Sequence, residues 1–202
     1  MQKNLEFLEF VDTISNLDIV NYQYFHQLLH KRTILFNQEV DENIIETVYL
    51  PLKEFEEDDS QAPVTLILNS PGGSVSDGFF LAHYLTTYKK KLNILVTGYA
   101  ASMAGVILAG GGRNSNITRK CYPSTYALIH DGFIAISPSE SKTASDIMAF
   151  NDKVDNDIRQ FILNNTKITA EIYDAQARHQ WFLSSKELLE YGLIDEIIGG
   201  DA

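Results

Sequence analysis

One short stretch constrains the chain more than any other: an apolar run that stops abruptly. Val64-Thr65-Leu66-Ile67-Leu68 is nearly continuous in hydrophobicity and of strand length, and Asn69-Ser70-Pro71-Gly72-Gly73 breaks it. A strand with one wet face alternates apolar and polar residues, whereas a continuous run belongs to a strand covered on both faces, as in a parallel sheet flanked by helices. The pattern then predicts a helix over 75–88, a strand over 93–97, a helix over 102–108 and a strand over 126–129 that ends at His130. Upstream it predicts a helix over 20–30, a strand over 33–36, and a helix opening near Asp41 that Pro51 should kink. The acidic run 54–59 reads as a solvated loop. This repeated alternation predicts an α/β fold with a largely parallel sheet.

After His130 the alternation gives way to a long helix over 140–164, placed late enough in the chain to project as an arm. The chain closes with a helix opened at Thr169, a strand over 181–183, a helix over 186–191 and a last strand over 193–198. Ser184 followed by Glu187 is a capping-box pattern, and Gly192 ends the helix it opens. Residues 1–19 alternate apolar and acidic side chains without a stop signal and read as an N-terminal arm to a domain at 20–202.

Composition removes several function classes. The chain has 202 residues, 45% hydrophobic and 21% charged, ordinary for one soluble domain. No apolar run approaches the roughly 20 residues of a membrane-spanning helix, and the N-terminus lacks a charged-then-apolar export signal. The single cysteine, Cys121, allows neither an internal disulfide nor a cysteine-rich zinc site, so a cytoplasmic protein without metal is expected. Sixteen basic against 27 acidic residues give a net charge of −11, which disfavours nucleic acid as a partner.

Two small-residue segments could carry chemistry. Asn69-Ser70-Pro71-Gly72-Gly73-Ser74-Val75 joins the apolar strand to a helix, and paired glycines there can expose backbone N–H groups to an oxyanion. Alone, it serves equally as an ordinary turn. In Gly98-Tyr99-Ala100-Ala101-Ser102-Met103-Ala104-Gly105, Ser102 stands where a strand meets a helix. That is where a nucleophile elbow places its serine, without the Gly-x-Ser-x-Gly letters, and it is also where any helix takes an N-cap. Of the five histidines, only His130 ends an apolar strand on the side where α/β sheets place their ligands.

Taken together, Asn69–Val75, Gly98–Met103, Leu128-Ile129-His130 and Tyr191-Gly192-Leu193-Ile194-Asp195 resemble, in order and spacing, the signatures of Clp protease proteolytic subunits over residues 20–198. The resemblance implies a ClpP/crotonase-like fold with stacked parallel sheets, flanking helices and a protruding handle at about 131–166. It implies a serine endopeptidase needing no cofactor, with Ser102 as nucleophile, His130 as general base and the N–H groups of Gly73 and Met103 as oxyanion hole. It further implies a homo-oligomer of stacked heptamers, a tetradecamer, that degrades peptides and unfolded proteins. Its partner would be an AAA+ unfoldase or a second subunit of the same kind.

Three departures from the family pattern are visible. Gln180 stands where the family's triad aspartate would fall. An amide can fix the imidazole's tautomer but offers no charge to an imidazolium, and such a replacement can cost up to about 10⁴ in turnover. Asp131-Gly132-Phe133 follows His130 where the family continues Gln-Pro, and Thr65 and Ile67 replace tyrosines on the strand used for unfoldase docking. A weakened peptidase is therefore expected, with an impaired structural or regulatory subunit of a mixed ring as its competitor. A crotonase-type acyl-CoA enzyme is a more distant competitor, disfavoured by Ala100-Ala101-Ser102-Met103 and His130.

Overall fold

The structure, a computed structural model, describes residues 16–130, 141–177 and 179–199. Helix α1 (Asn16–His30) begins before the expected residue 20 and turns through Arg32, at φ 55°, into strand β1 (Thr33–Phe36). The helix expected from Asp41 starts with a turn in which the Asp41 carboxylate accepts the Asn43 N–H at 3.0 Å. It continues as a π-helical turn (Ile45–Tyr49) and then as α2 (Leu50–Glu57). Pro51 sits at the start of α2, directly after the π-helical turn, with Tyr49 and Leu50 before it still helical.

The acidic run corrects expectation: its first four residues belong to α2, and Glu56 and Asp58 are in use. Glu56 accepts from the Tyr84 hydroxyl at 3.2 Å and the Lys89 N–H at 2.9 Å, and Asp58 is paired with Arg32. The Arg32 guanidinium lowers the Asp58 carboxyl below its ordinary range.

Strand β2 (Val64–Ser70) fully buries Val64, Leu66, Leu68 and Ser70, while Thr65, Ile67 and Asn69 on its other face are only half-buried in the single chain. Helix α3 (Val75–Thr87), capped by the Ser74 hydroxyl, leads to β3 (Leu92–Ala101). Helix α4 (Met103–Gly110) buries all eight of its residues, so it fills the centre of the molecule rather than coating a surface. Strands β4 (Ile117–Cys121) and β5 (Tyr126–Ile129) follow. Then come the long α5 (Ser141–Asn165), α6 (Ala170–Gln176), β6 (Trp181–Ser184), α7 (Ser185–Glu190) and β7 (Glu196–Ile197). The expected capping box of Ser184 and Glu187 is formed, and the last strand is shorter than expected.

The sheet runs β1-β2-β3-β4-β7, all parallel, and β3 also pairs parallel with β5. Among the described residues only β5–β6 is antiparallel. The α/β class with a parallel sheet and flanking helices is therefore observed. The N-terminal half of β3 pairs with β4 and its C-terminal half with β5, so this one strand bends from one pairing to the other. Strand β4 was not anticipated. It carries Arg119, whose buried guanidinium grips the Asp195 carboxylate at 2.8 and 3.2 Å and the Gly192 carbonyl at 2.9 Å. The expected N-terminal arm over 1–15 and the start of the handle at 131–140 lie outside the described residues.

Candidate active site

Ser102 is the single residue between the end of β3 and the start of α4, and its backbone is held at φ 54°, ψ −123°. That conformation is rare for any residue with a Cβ and costs of order 1–3 kcal/mol unless its surroundings impose it. The surroundings here are specific. The Ser102 N–H donates to the Leu128 carbonyl at 2.8 Å, tying the elbow to β5, and its carbonyl accepts the Gly105 N–H at 2.9 Å to start the helix. The Ser102 side chain makes no capping hydrogen bond, although it occupies the N-cap position. Of the two uses open to a serine at this junction, the structure shows the strained elbow and not the cap.

The Pro-Gly-Gly turn is pressed against this elbow. A Cβ on Gly72, at φ 89°, would lie 2.5 Å from the Ala101 carbonyl oxygen and 2.7 Å from the Ser102 Cβ, so only glycine fits. Val40 holds the turn from the other side: its N–H donates to the Gly72 carbonyl at 2.8 Å and its carbonyl accepts the Ser74 N–H at 2.7 Å. These two bonds form a parallel bridge between Val40 and Gly73. In such a bridge the flanked residue's own N–H faces away from the partner. The Gly73 N–H accordingly makes no hydrogen bond among the described residues. The Met103 N–H, first in α4, is one of the donors that a helix leaves without an internal partner.

His130 follows β5 directly, two residues beyond the Leu128 carbonyl that anchors Ser102. Gly73, Ser102, Met103 and His130 line one cavity of about 140 Å³, closed otherwise by Val75, Val106, Ile129 and Ile158 of α5. Four of the five expected site residues are thus brought together. The apolar walls limit water around the hydroxyl and imidazole, where dipoles act more strongly than in solvent.

Gln180 does not line this cavity. It is exposed and precedes β6, and its side chain makes no hydrogen bond among the described residues. The β5–β6 register pairs Ile129 with Trp181, so its continuation by one residue sets His130 opposite Gln180. Two aspartates lie near in sequence to the places of the base and the missing acid: Asp174 gives its carboxylate oxygens to Arg159 of α5 at 2.6 and 2.8 Å, and Asp131 lies outside the described residues. Burial raises the Cys121 thiol above its ordinary range, so it is no competing nucleophile. Among the described residues no group of histidine, cysteine and carboxylate side chains could hold a metal ion, and no helix is long and apolar enough to cross a membrane.

Val40 and the apolar wall residues were not singled out from the sequence. Val40 acts through its main chain, which no side-chain pattern reports.

Comparison with known proteins agrees with this geometry. The family model described as Clp protease matches residues 16–201. The chain is 29% identical over 182 residues to the ATP-dependent Clp protease proteolytic subunit of Streptococcus gordonii, covering 90% of this chain and 91% of that one. It is likewise 29% identical over 183 residues to the subunit of the same description from Streptococcus pneumoniae strain Hungary19A-6, covering 90% and 92%. With its central strand, glycine turn and serine elbow arranged as described, the chain belongs to the Clp protease family.

Proposed function

We propose that this chain is a serine endopeptidase subunit that hydrolyses peptides, and unfolded proteins delivered to it, with Ser102 as nucleophile and His130 as general base. One observation carries it: the uncapped hydroxyl of a strained serine elbow shares a small apolar cavity with a strand-end histidine and a glycine whose N–H is unused. A hydroxyl attacks a peptide carbonyl only when a base takes its proton, and His130 fills that role. The carbonyl oxygen, becoming negative, is received by the N–H groups of Gly73 and Met103 at the N-terminus of α4. Each such donor contributes about 10²–10³ in turnover where it has been removed. His130 then protonates the leaving amine, and water releases the acyl group by the reverse path.

Gln180, opposite His130 by register, holds the imidazole's orientation when substrate closes the site, but supplies no charge. Turnover is accordingly slower than an acid at that position would allow. The peptidase domain spans about 20–202 behind an arm at 1–19, with the handle at 131–166 joining stacked heptameric rings into a chamber in the cytoplasm. Thr65 and Ile67 on the half-covered face of β2 make a second subunit of the same kind, rather than a standard unfoldase, the better-fitting neighbour.

The exposed, unbonded amide of Gln180 also favours a second reading, an impaired subunit that serves a mixed ring structurally. Hydrolysis of a fluorogenic unstructured peptide by the native assembly separates the two. Turnover that vanishes in Ser102→Ala is expected, and an activity indifferent to that change would leave only the structural role.

A further inference from the structure

The β2–β3 ladder slips one turn of the chain before the serine. Leu68 pairs with Val96, but Ser70 pairs with Ala100, so Asn69 alone faces Thr97, Gly98 and Tyr99. This bulge is where β3 leaves β4 and joins β5, the strand whose Leu128 carbonyl anchors Ser102 and whose end presents His130. The relative placement of nucleophile and base therefore depends on how this bulge is held. A bulge leaves ladder groups unpaired, and here one side chain replaces the ladder. The Asn69 Oδ1 accepts the Tyr99 N–H at 3.1 Å, and a Cβ on Gly98 would lie 2.5 Å from that same oxygen. The Asn69 Nδ2 donates in turn to the Asn37 Oδ1 at 2.6 Å. Asn37 follows β1 and opens the segment that ends at Val40, whose main chain braces Gly72 and Ser74.

We propose that the Asn37–Asn69 pair is a positioning device for the reaction, fixing the β3 bulge that sets Ser102 against His130 and linking it to the segment that braces the oxyanion turn. Neither side chain touches the reacting atoms; both act through the backbone they hold. The inference rests on the peptidase reading above. Asn69 is half-buried, so water can satisfy the Tyr99 N–H when the amide is gone. The chain then still folds, while the elbow loses its fixed geometry. Small misplacements of reacting groups reduce turnover far more than they reduce stability.

The pair's chemistry allows a test that a general packing role would fail. Asn37→Asp keeps an acceptor for Asn69 Nδ2. Asn69→Asp keeps the acceptor for Tyr99, and Asn37 can turn its amide to donate. The double variant has two acceptors and no donor between them. Peptide turnover by the intact assembly should stay within about twofold of wild type in each single variant. It should fall roughly 10- to 100-fold in kcat, with KM nearly unchanged, in the double variant and in Asn69→Ala. The melting midpoint and assembly mass should be unchanged in all four. A double variant or Asn69→Ala turning over at the wild-type rate would overturn the proposal. So would a loss that follows a lowered melting midpoint or a dissociated assembly, since that marks a merely structural role. A wild-type assembly whose turnover survives Ser102→Ala would instead overturn the peptidase reading, and this inference with it.

Discussion

At Ser102 the chain trades stability for geometry. A residue with a Cβ held at φ 54° stores strain that glycine would not. Ser102→Gly should therefore raise the melting midpoint by roughly 2–4 °C, the shift about 1 kcal/mol produces in a domain of this size, while removing peptide hydrolysis. Calorimetry beside Ser102→Ala, which keeps the strain, isolates the effect. Gly72 is the opposite case. Its positive φ and the 2.5 Å approach of a Cβ to the Ala101 carbonyl mean that Gly72→Ala must displace the elbow itself. Turnover should fall at least about 100-fold, as when an oxyanion donor is lost, with the melting midpoint lowered as well. At Gln180 the expected change is a gain: Gln180→Asp restores a charge opposite His130 and should raise kcat about tenfold or more. An unchanged kcat would show that the imidazole is held from elsewhere.

Among the elements, β4 and the β7 segment are joined by two ion pairs, Arg119–Asp195 and Lys120–Glu196, and only the first has a buried cation. Arg119 is almost wholly buried and spends its guanidinium on Asp195 and the Gly192 carbonyl. Asp195→Ala leaves that buried cation only the Gly192 carbonyl and should cost about 1–3 kcal/mol in urea unfolding, less than for a fully buried pair because the Asp195 carboxylate itself reaches solvent. Helix α7 has a smaller, pH-dependent support. The Ser184 hydroxyl and N–H hold the Glu187 carboxyl below its ordinary range, so its contribution is present above the usual carboxylate pKa and is lost as pH falls through the lowered one. Glu187→Gln should lower stability at neutral pH and flatten part of the acid limb of a stability–pH curve.

What was legible in the sequence depended on how local each signal is. Strand β2, helix α3 and the capping box were legible because their signals are local: apolar continuity, a Pro-Gly-Gly break, and Ser184 with Glu187 three residues on. The strand with Arg119 and Lys120 at its centre carries no such local signal, because its charges are matched by two carboxylates far along the chain. The acidic run misled for the same reason, as the partners of Glu56 and Asp58 come from α3, the segment after it, and Arg32. The serine, the histidine and the glycine turn were legible as types in order. Their shared cavity was not, since Val40, Asn69 and Ile158 act through register and packing.

Across the whole molecule, the single chain leaves apolar surface uncovered. Met148 and Phe150 of α5 are 58% and 62% exposed, and the outer face of β2 is half-covered. A charge of −11 makes copies repel unless specific apolar contact outweighs it. In sedimentation the proposed assembly should loosen when Met148 and Phe150 are both changed to Asp, with peptide hydrolysis falling in step. The central claim, a working serine nucleophile served by His130, is tested most directly by labelling the intact assembly with a fluorophosphonate and locating the adduct by peptide mass spectrometry. One adduct is expected, on Ser102, formed in the wild type, absent in Ser102→Ala and strongly slowed in His130→Ala. An assembly that remains intact and acquires no adduct, or acquires it as fast without His130, would contradict it.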